Sequence, residues 1–140
     1  MPTINIPIVF KYKQVANKIY RPIVPIEIGH TSSIRYEVLI DSGADGCMLN
    51  AEIAEAIGIK DIKGGEPFTF SGVTSKTEVA YNHTVTIKLK DCSYQTKVGF
   101  SDGFSNNGYG IVGQKGFFDR FSITFDYPSK SLTMVKKDWV

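Results

Sequence analysis

The sequence predicts an all-β fold with one or two short helices, and three observations carry that expectation. From Ile4 to Tyr36 the chain is rich in Ile, Val and Tyr, while Pro7, Pro22 and Pro25 forbid a helix and suit edge or irregular strands. Val85, Ile87 and Leu89 alternate with Thr84, Thr86, Lys88 and Lys90, the period-two pattern of a strand with one wet face. Near the C-terminus, Ser122 to Tyr127 and Ser131 to Val135 alternate apolar and polar residues around the turn Pro128-Ser129-Lys130, which reads as a hairpin.

The elements between these segments follow in order. Val38-Leu39-Ile40 is a short apolar strand that runs directly into Asp41-Ser42-Gly43, so the acid lies at a strand end. Asn50 can cap a helix over Ala51 to Ile57, where Ile53, Ala54 and Ile57 share one face and Gly58 is a natural stop. After a turn from Asp61 to Gly65, Phe68 to Ser71 and Lys76 to Tyr81 flank Gly72-Val73-Thr74-Ser75, a hairpin with an exposed tip. Tyr94 to Phe100 reads as the returning partner of the alternating strand before it. Ser101 to Gly110, with Gly103, Asn106, Asn107 and Gly108, reads as a loop. Ile111-Val112-Gly113 is a small strand ending in glycine, and Gln114 to Phe121 is expected to hold a second short helix despite Gly116. With no internal repeat and no linker, residues 1–140 are expected to form one domain.

Composition bounds the function classes. The chain of 140 residues is 42% hydrophobic and 21% charged, ordinary for a soluble folded protein and wrong for disorder or collagen. Its 16 Lys and Arg against 14 Asp and Glu are scattered, with no basic stripe to follow a phosphate backbone, so no nucleic-acid partner is expected. Cys47 and Cys92 have no companions at metal-ligand spacing and are expected to be reduced and buried; His30 and His83 are isolated from other ligand types. Neither a metal nor another cofactor is expected. Met1 to Phe10 fails as a secretory signal, and nowhere do about twenty apolar residues run together. A cytoplasmic location with no membrane partner is the expectation.

The chemistry lies at Asp41. An acid followed by Ser or Thr and then Gly at the end of a strand presents a fixed carboxylate, because glycine permits a tight turn and the hydroxyl can hydrogen-bond across it. The same three residues also make an ordinary turn. The flanks separate the two readings: Val38-Leu39-Ile40 precedes the acid, while Ala44 and then Cys47-Met48-Leu49 follow it, and surface turns are seldom enclosed by apolar runs. A Gly-bearing hairpin and Ile111-Val112-Gly113 come downstream. A serine nucleophile at Ser42 is disfavoured, since no Gly-x-Ser-x-Gly elbow is present.

In that order of landmarks the sequence resembles the retropepsin-like aspartic proteases. Leu39-Ile40-Asp41-Ser42-Gly43-Ala44-Asp45 is similar to the family's apolar-apolar-Asp-Thr/Ser-Gly-Ala segment. Phe70-Ser71-Gly72-Val73-Thr74 occupies the place of the flap that closes over substrate, and Ile111-Val112-Gly113 resembles the apolar-apolar-Gly motif packed behind the catalytic loop. The resemblance covers residues 23–135. The retroviral enzymes carry Arg just after the third motif's glycine; this chain has Gln114, which leaves no cation there for an ionic tie to Asp45.

The resemblance implies a closed-barrel-like acid protease fold and hydrolysis of a polypeptide substrate. It makes Asp41 the catalytic carboxylate, with Ser42, Gly43 and Ala44 supporting the loop. Gly43, Asp45, Gly72, Val73 and Thr74 would bind substrate. Because the Asp-Ser-Gly motif occurs once, it also implies a homodimer in which two Asp41 carboxylates meet on the two-fold axis. A contrasting expectation keeps the fold without catalysis, as a peptide-binding or dimerisation module that holds an extended strand.

Overall fold

A computed structural model describes residues 6–71, 76–104 and 108–137. In chain order the first strands are β1 (Ile8–Lys11), β2 (Lys13–Ala16), β3 (Ile19–Arg21), β4 (Ile23–Gly29), β5 (Ser33–Ile40) and β6 (Met48–Asn50). The helix α1 (Ala51–Ala56) and a 3-10 turn (Ile62–Gly64) follow. The remaining strands are β7 (Glu66–Ser71), β8 (Thr77–Leu89), β9 (Cys92–Ser101), β10 (Gly110–Val112), β11 (Phe121–Asp126) and β12 (Ser131–Lys136). The fold is all-β, as expected.

Seven strands form one sheet in the order β4-β5-β10-β6-β9-β8-β7, and β4 pairs also with β8. Thus Glu27 faces Arg35 of β5 on one side and Lys88 of β8 on the other. This second pairing turns the sheet back on itself without making a regular barrel. The interior is filled by the inward-facing residues that period-two alternation supplies: Val24, Ile26 and Ile28 from β4, Val85, Ile87 and Leu89 from β8, Val98 and Phe100 from β9. Burying each such aliphatic side chain contributes roughly 1.5–3 kcal/mol. A separate sheet, β1-β12-β11, adds Phe10, Phe121, Leu132 and Met134 to the same core.

Three expectations change in the folded chain. The segments 76–81 and 84–90 are one continuous strand, β8, because Asn82 pairs with Glu66 of β7 and with Gly99 of β9 and no break falls between them. The helix expected from Gln114 to Phe121 is reduced to a single irregular π-type turn over Gln114–Phe118. Lys115 is extended (ψ 120) and Gly116 has φ 99, and Phe121 already belongs to β11. The backbone N–H groups of Gln114 and Lys115, which a helix starting here would leave without an internal partner, are bonded to the Ala44 and Asp45 carbonyls at 2.8 and 2.9 Å, and it is the extended Lys115 and the left-handed Gly116 that break the helical path. What remains is a wide turn in which the Phe118 N–H donates to the Gly113 carbonyl and Asp119 Oδ1 accepts from the Gly116 N–H. Both cysteines are free, but only Cys47 is buried; Cys92, at the start of β9, is half-buried.

The other helix is where the sequence puts it. Asn50 caps α1, its Oδ1 accepting from the Glu52 N–H at 2.9 Å, and Gly58 beyond the end has φ 93. The Asn50 amide also donates to the Phe104 carbonyl at 2.7 Å, which ties the loop after β9 to the helix start. Replacing Asn50 by Ala removes both bonds and is expected to lower stability by about 1–2 kcal/mol. Asn50→Asp should recover the cap share alone, which urea denaturation of the two variants would separate.

Candidate active site

Asp41 is the first residue past β5. Buried Ile40 donates its N–H to the Pro22 carbonyl, and the Asp41 N–H donates to Val112 of β10, both at 3.0 Å. The chain then turns at once, with the Ala44 N–H on the Asp41 carbonyl at 3.1 Å. Inside this turn the Gly43 N–H donates to Asp41 Oδ1 at 2.9 Å. The acid is half-buried, whereas Ser42, Gly43 and Asp45 are exposed and Ala44 is half-buried. The carboxylate is therefore fixed at a strand end, facing outward.

β10 holds that turn from behind. It lies parallel to β5, with Ile111 beside Leu39 and Val112 beside Ile40, and antiparallel to β6, with Ile111 beside Met48. This wedges it between the strand that enters the acidic turn and the strand that leaves it. Gly113 follows, and a Cβ there would collide with the Ala44 and Gly46 carbonyl oxygens, so only glycine lets the two backbones come this close. Past it, the side chain of Gln114 donates from Nε2 to the Ser42 carbonyl at 2.9 Å. The position expected to lack an ionic tie thus carries a neutral hydrogen bond, directed to Ser42 and not to Asp45.

Asp41, Gly43, Ala44 and Asp45 line a groove of about 1870 Å³. Phe68 and Phe70 of β7 also line it, and Phe68 packs so tightly over Gly99 that a Cβ at that position would meet the ring. The hairpin β7–β8 is paired up to Ser71 and Thr77, and Thr69, Ser71, Lys76, Thr77 and Glu78 also line this groove. Its expected tip, Gly72, Val73, Thr74 and Ser75, lies outside the described residues. At the hairpin's base the Ser101 hydroxyl donates to the Val79 carbonyl at 2.6 Å. Sequence reading does not name Phe68 as a groove residue, places Phe70 only in the flap segment, and marks Gln114 only as the position of a missing ionic tie. The apolar and polar alternation Phe68-Thr69-Phe70-Ser71 is the signal for the two rings; the hydrogen bond from Gln114 to Ser42 has no local signal.

Cys47 lies under the loop, 4% exposed, with its thiol directed at the Lys115 carbonyl. Burial pushes its pKa up to about 11, so the thiol stays neutral and unreactive near neutral pH. Among the described residues no three His, Cys, Asp or Glu side chains cluster to hold a metal ion, and no helix is long and apolar enough to cross a membrane.

The family model described as "Aspartyl protease" matches residues 24–115, a span that holds the acidic turn, the hairpin and β10. Among solved structures, the chain is similar to a retropepsin-like aspartic protease from Rickettsia conorii (15% identity, TM-score 0.65), over 91% of this chain and 97% of that one. It is also similar to the retroviral protease-like domain of Ddi1 from Leishmania major (17% identity, TM-score 0.55), over 85% of this chain and 94% of that one. The EIAV protease complexed with the inhibitor HBY-793 matches at 22% identity and TM-score 0.50, over 72% of this chain and 88% of that one. These likenesses establish the retropepsin-like fold. No curated protein sequence matches the chain.

Two outcomes follow from this geometry. Gly113→Ala should destabilise the chain by about 1–3 kcal/mol, because the added methyl must push the acidic turn off β10; chemical denaturation measures it. With iodoacetamide near pH 8, the native protein should be alkylated at Cys92 well before Cys47, and mass spectrometry of the labelled peptides would read the order.

Proposed function

Because the chain belongs to the aspartyl protease family, we propose that it hydrolyses peptide bonds, each copy contributing the single carboxylate of Asp41 to a site completed by a second copy. The observation that carries this reading is the setting of Asp41: a half-buried acid at a strand end, fixed by the Gly43 N–H and opening onto a groove sized for an extended peptide. No second Asp-Ser-Gly or Asp-Thr-Gly occurs in these 140 residues, which supports a partner carboxylate from a second copy. The exposure of Ser42 and Gly43 fits a face that a second copy covers.

Two carboxylates brought within about 3 Å cannot easily both ionise, so the pair holds one proton between them. The ionised member takes a proton from a bound water, which attacks the peptide carbonyl. The protonated member gives its proton to the carbonyl oxygen, and the amine leaves as the tetrahedral intermediate collapses. No covalent bond to the protein forms. Phe68 and Phe70 would offer apolar contact to substrate side chains, and Gly43 and Asp45, which line the same groove, would meet its backbone. By the resemblance, Gly72, Val73 and Thr74 would bind substrate as well.

Cleavage of a denatured protein pool, followed from mildly acidic to neutral pH, tests the reading. Asp41→Asn should lower the rate by about 10²-fold or more, and the wild-type rate per mole of chain should rise with protein concentration. Equal cleavage by both proteins would end the peptidase reading. Peptide binding by both with cleavage by neither would favour a binding module on the same fold.

A further inference from the structure

The Ser42–Gly43 peptide unit is bonded at both ends. Its N–H donates to Asp41 Oδ1 at 2.9 Å, and its carbonyl accepts from Gln114 Nε2, also at 2.9 Å. Gln114 is therefore two hydrogen bonds away from the carboxylate, through one rigid planar group. A donor on the carbonyl oxygen polarises the amide and strengthens its N–H as a donor, so the two bonds reinforce each other. It also fixes the rotation of the peptide plane, which decides whether the N–H faces Asp41 at all.

We propose that Gln114 is a positioning residue for Asp41, holding the Ser42–Gly43 peptide so that its N–H stays on the carboxylate. The proposal rests on the reading of Asp41 as the catalytic acid. The same stretch makes two other ties to the acidic loop, from the Gln114 and Lys115 backbone N–H groups to the Ala44 and Asp45 carbonyls. Those ties hold the loop against β10 whatever the side chain at this position. Only the side-chain tie ends on the peptide that serves the acid. Gln114 is exposed, so its removal leaves no cavity and spares the fold.

The experiment compares wild type, Gln114→Ala and Gln114→Glu, with Asp41→Asn as the inactive reference. Loss of one neutral hydrogen bond should lower kcat of Gln114→Ala by about 3- to 10-fold, with KM and melting temperature close to wild type. Gln114→Glu keeps the shape but loses the N–H, so its kcat should fall similarly near neutral pH. Its activity relative to wild type should recover as the new carboxyl protonates below about pH 4 and can donate to the Ser42 carbonyl. In the NMR spectrum the Gly43 amide proton should move upfield in Gln114→Ala.

Wild-type kcat in Gln114→Ala beside an inactive Asp41→Asn would overturn the proposal and leave the peptidase reading standing. So would a kcat loss that merely tracks a lowered melting temperature, or a Glu variant that shows no recovery in acid. Full activity in Asp41→Asn would instead remove the peptidase reading. The Gly43 amide signal needs no turnover: if it is unchanged in Gln114→Ala, the coupling through the peptide does not exist.

Discussion

The groove depends on the close approach of β10 to the acidic turn. A strand of only Gly110–Val112 lies between β5 and β6, and Gly113 lets it run against the Ala44 and Gly46 carbonyls without a side chain in the way. From that contact come the bonds that fix the loop: the Asp41 N–H on Val112, and the Gln114 and Lys115 N–H groups on Ala44 and Asp45. A turn of glycine and small polar residues would otherwise be free to sample many conformations, and fixing each residue costs roughly 1–2 kcal/mol of backbone entropy. Here the cost is met by strand pairing and by the apolar core just beneath, where Ile40, Leu49 and Val112 are each at most 3% exposed.

Local signals made most of the architecture legible in the sequence. Asn50 and Gly58 bound α1 because capping chemistry needs no distant partner, and Val85, Ile87 and Leu89 point inward because alternation follows from the pleat itself. The acidic turn, the hairpin and the short strand ending in glycine were each readable as elements, and their order carried the family resemblance now matched over residues 24–115.

Features that depend on distant residues were not legible. The stretch after Gly113 has helical spacing of Phe117, Phe118 and Phe121, yet its backbone is tied to Ala44 and Asp45, some 70 residues earlier in the chain, and leaves the helical path at Lys115 and Gly116. Closure of the main sheet through β4 and β8 is likewise long-range. The role of Gln114 is visible only once its amide lies beside the Ser42 carbonyl, since an exposed glutamine past a short strand carries no mark of its own.

In the proposed peptidase reading, function is a property of two copies, each giving one Asp-Ser-Gly. The most direct test is subunit mixing: wild type held at a fixed concentration where dimers prevail, refolded with increasing amounts of Asp41→Asn chain. Shared sites predict that cleavage falls as wild-type chains are diverted into mixed pairs, in proportion to their dilution by the variant. Cleavage that stays constant through a large excess of Asp41→Asn would show that each chain works alone, and would contradict the account at its centre.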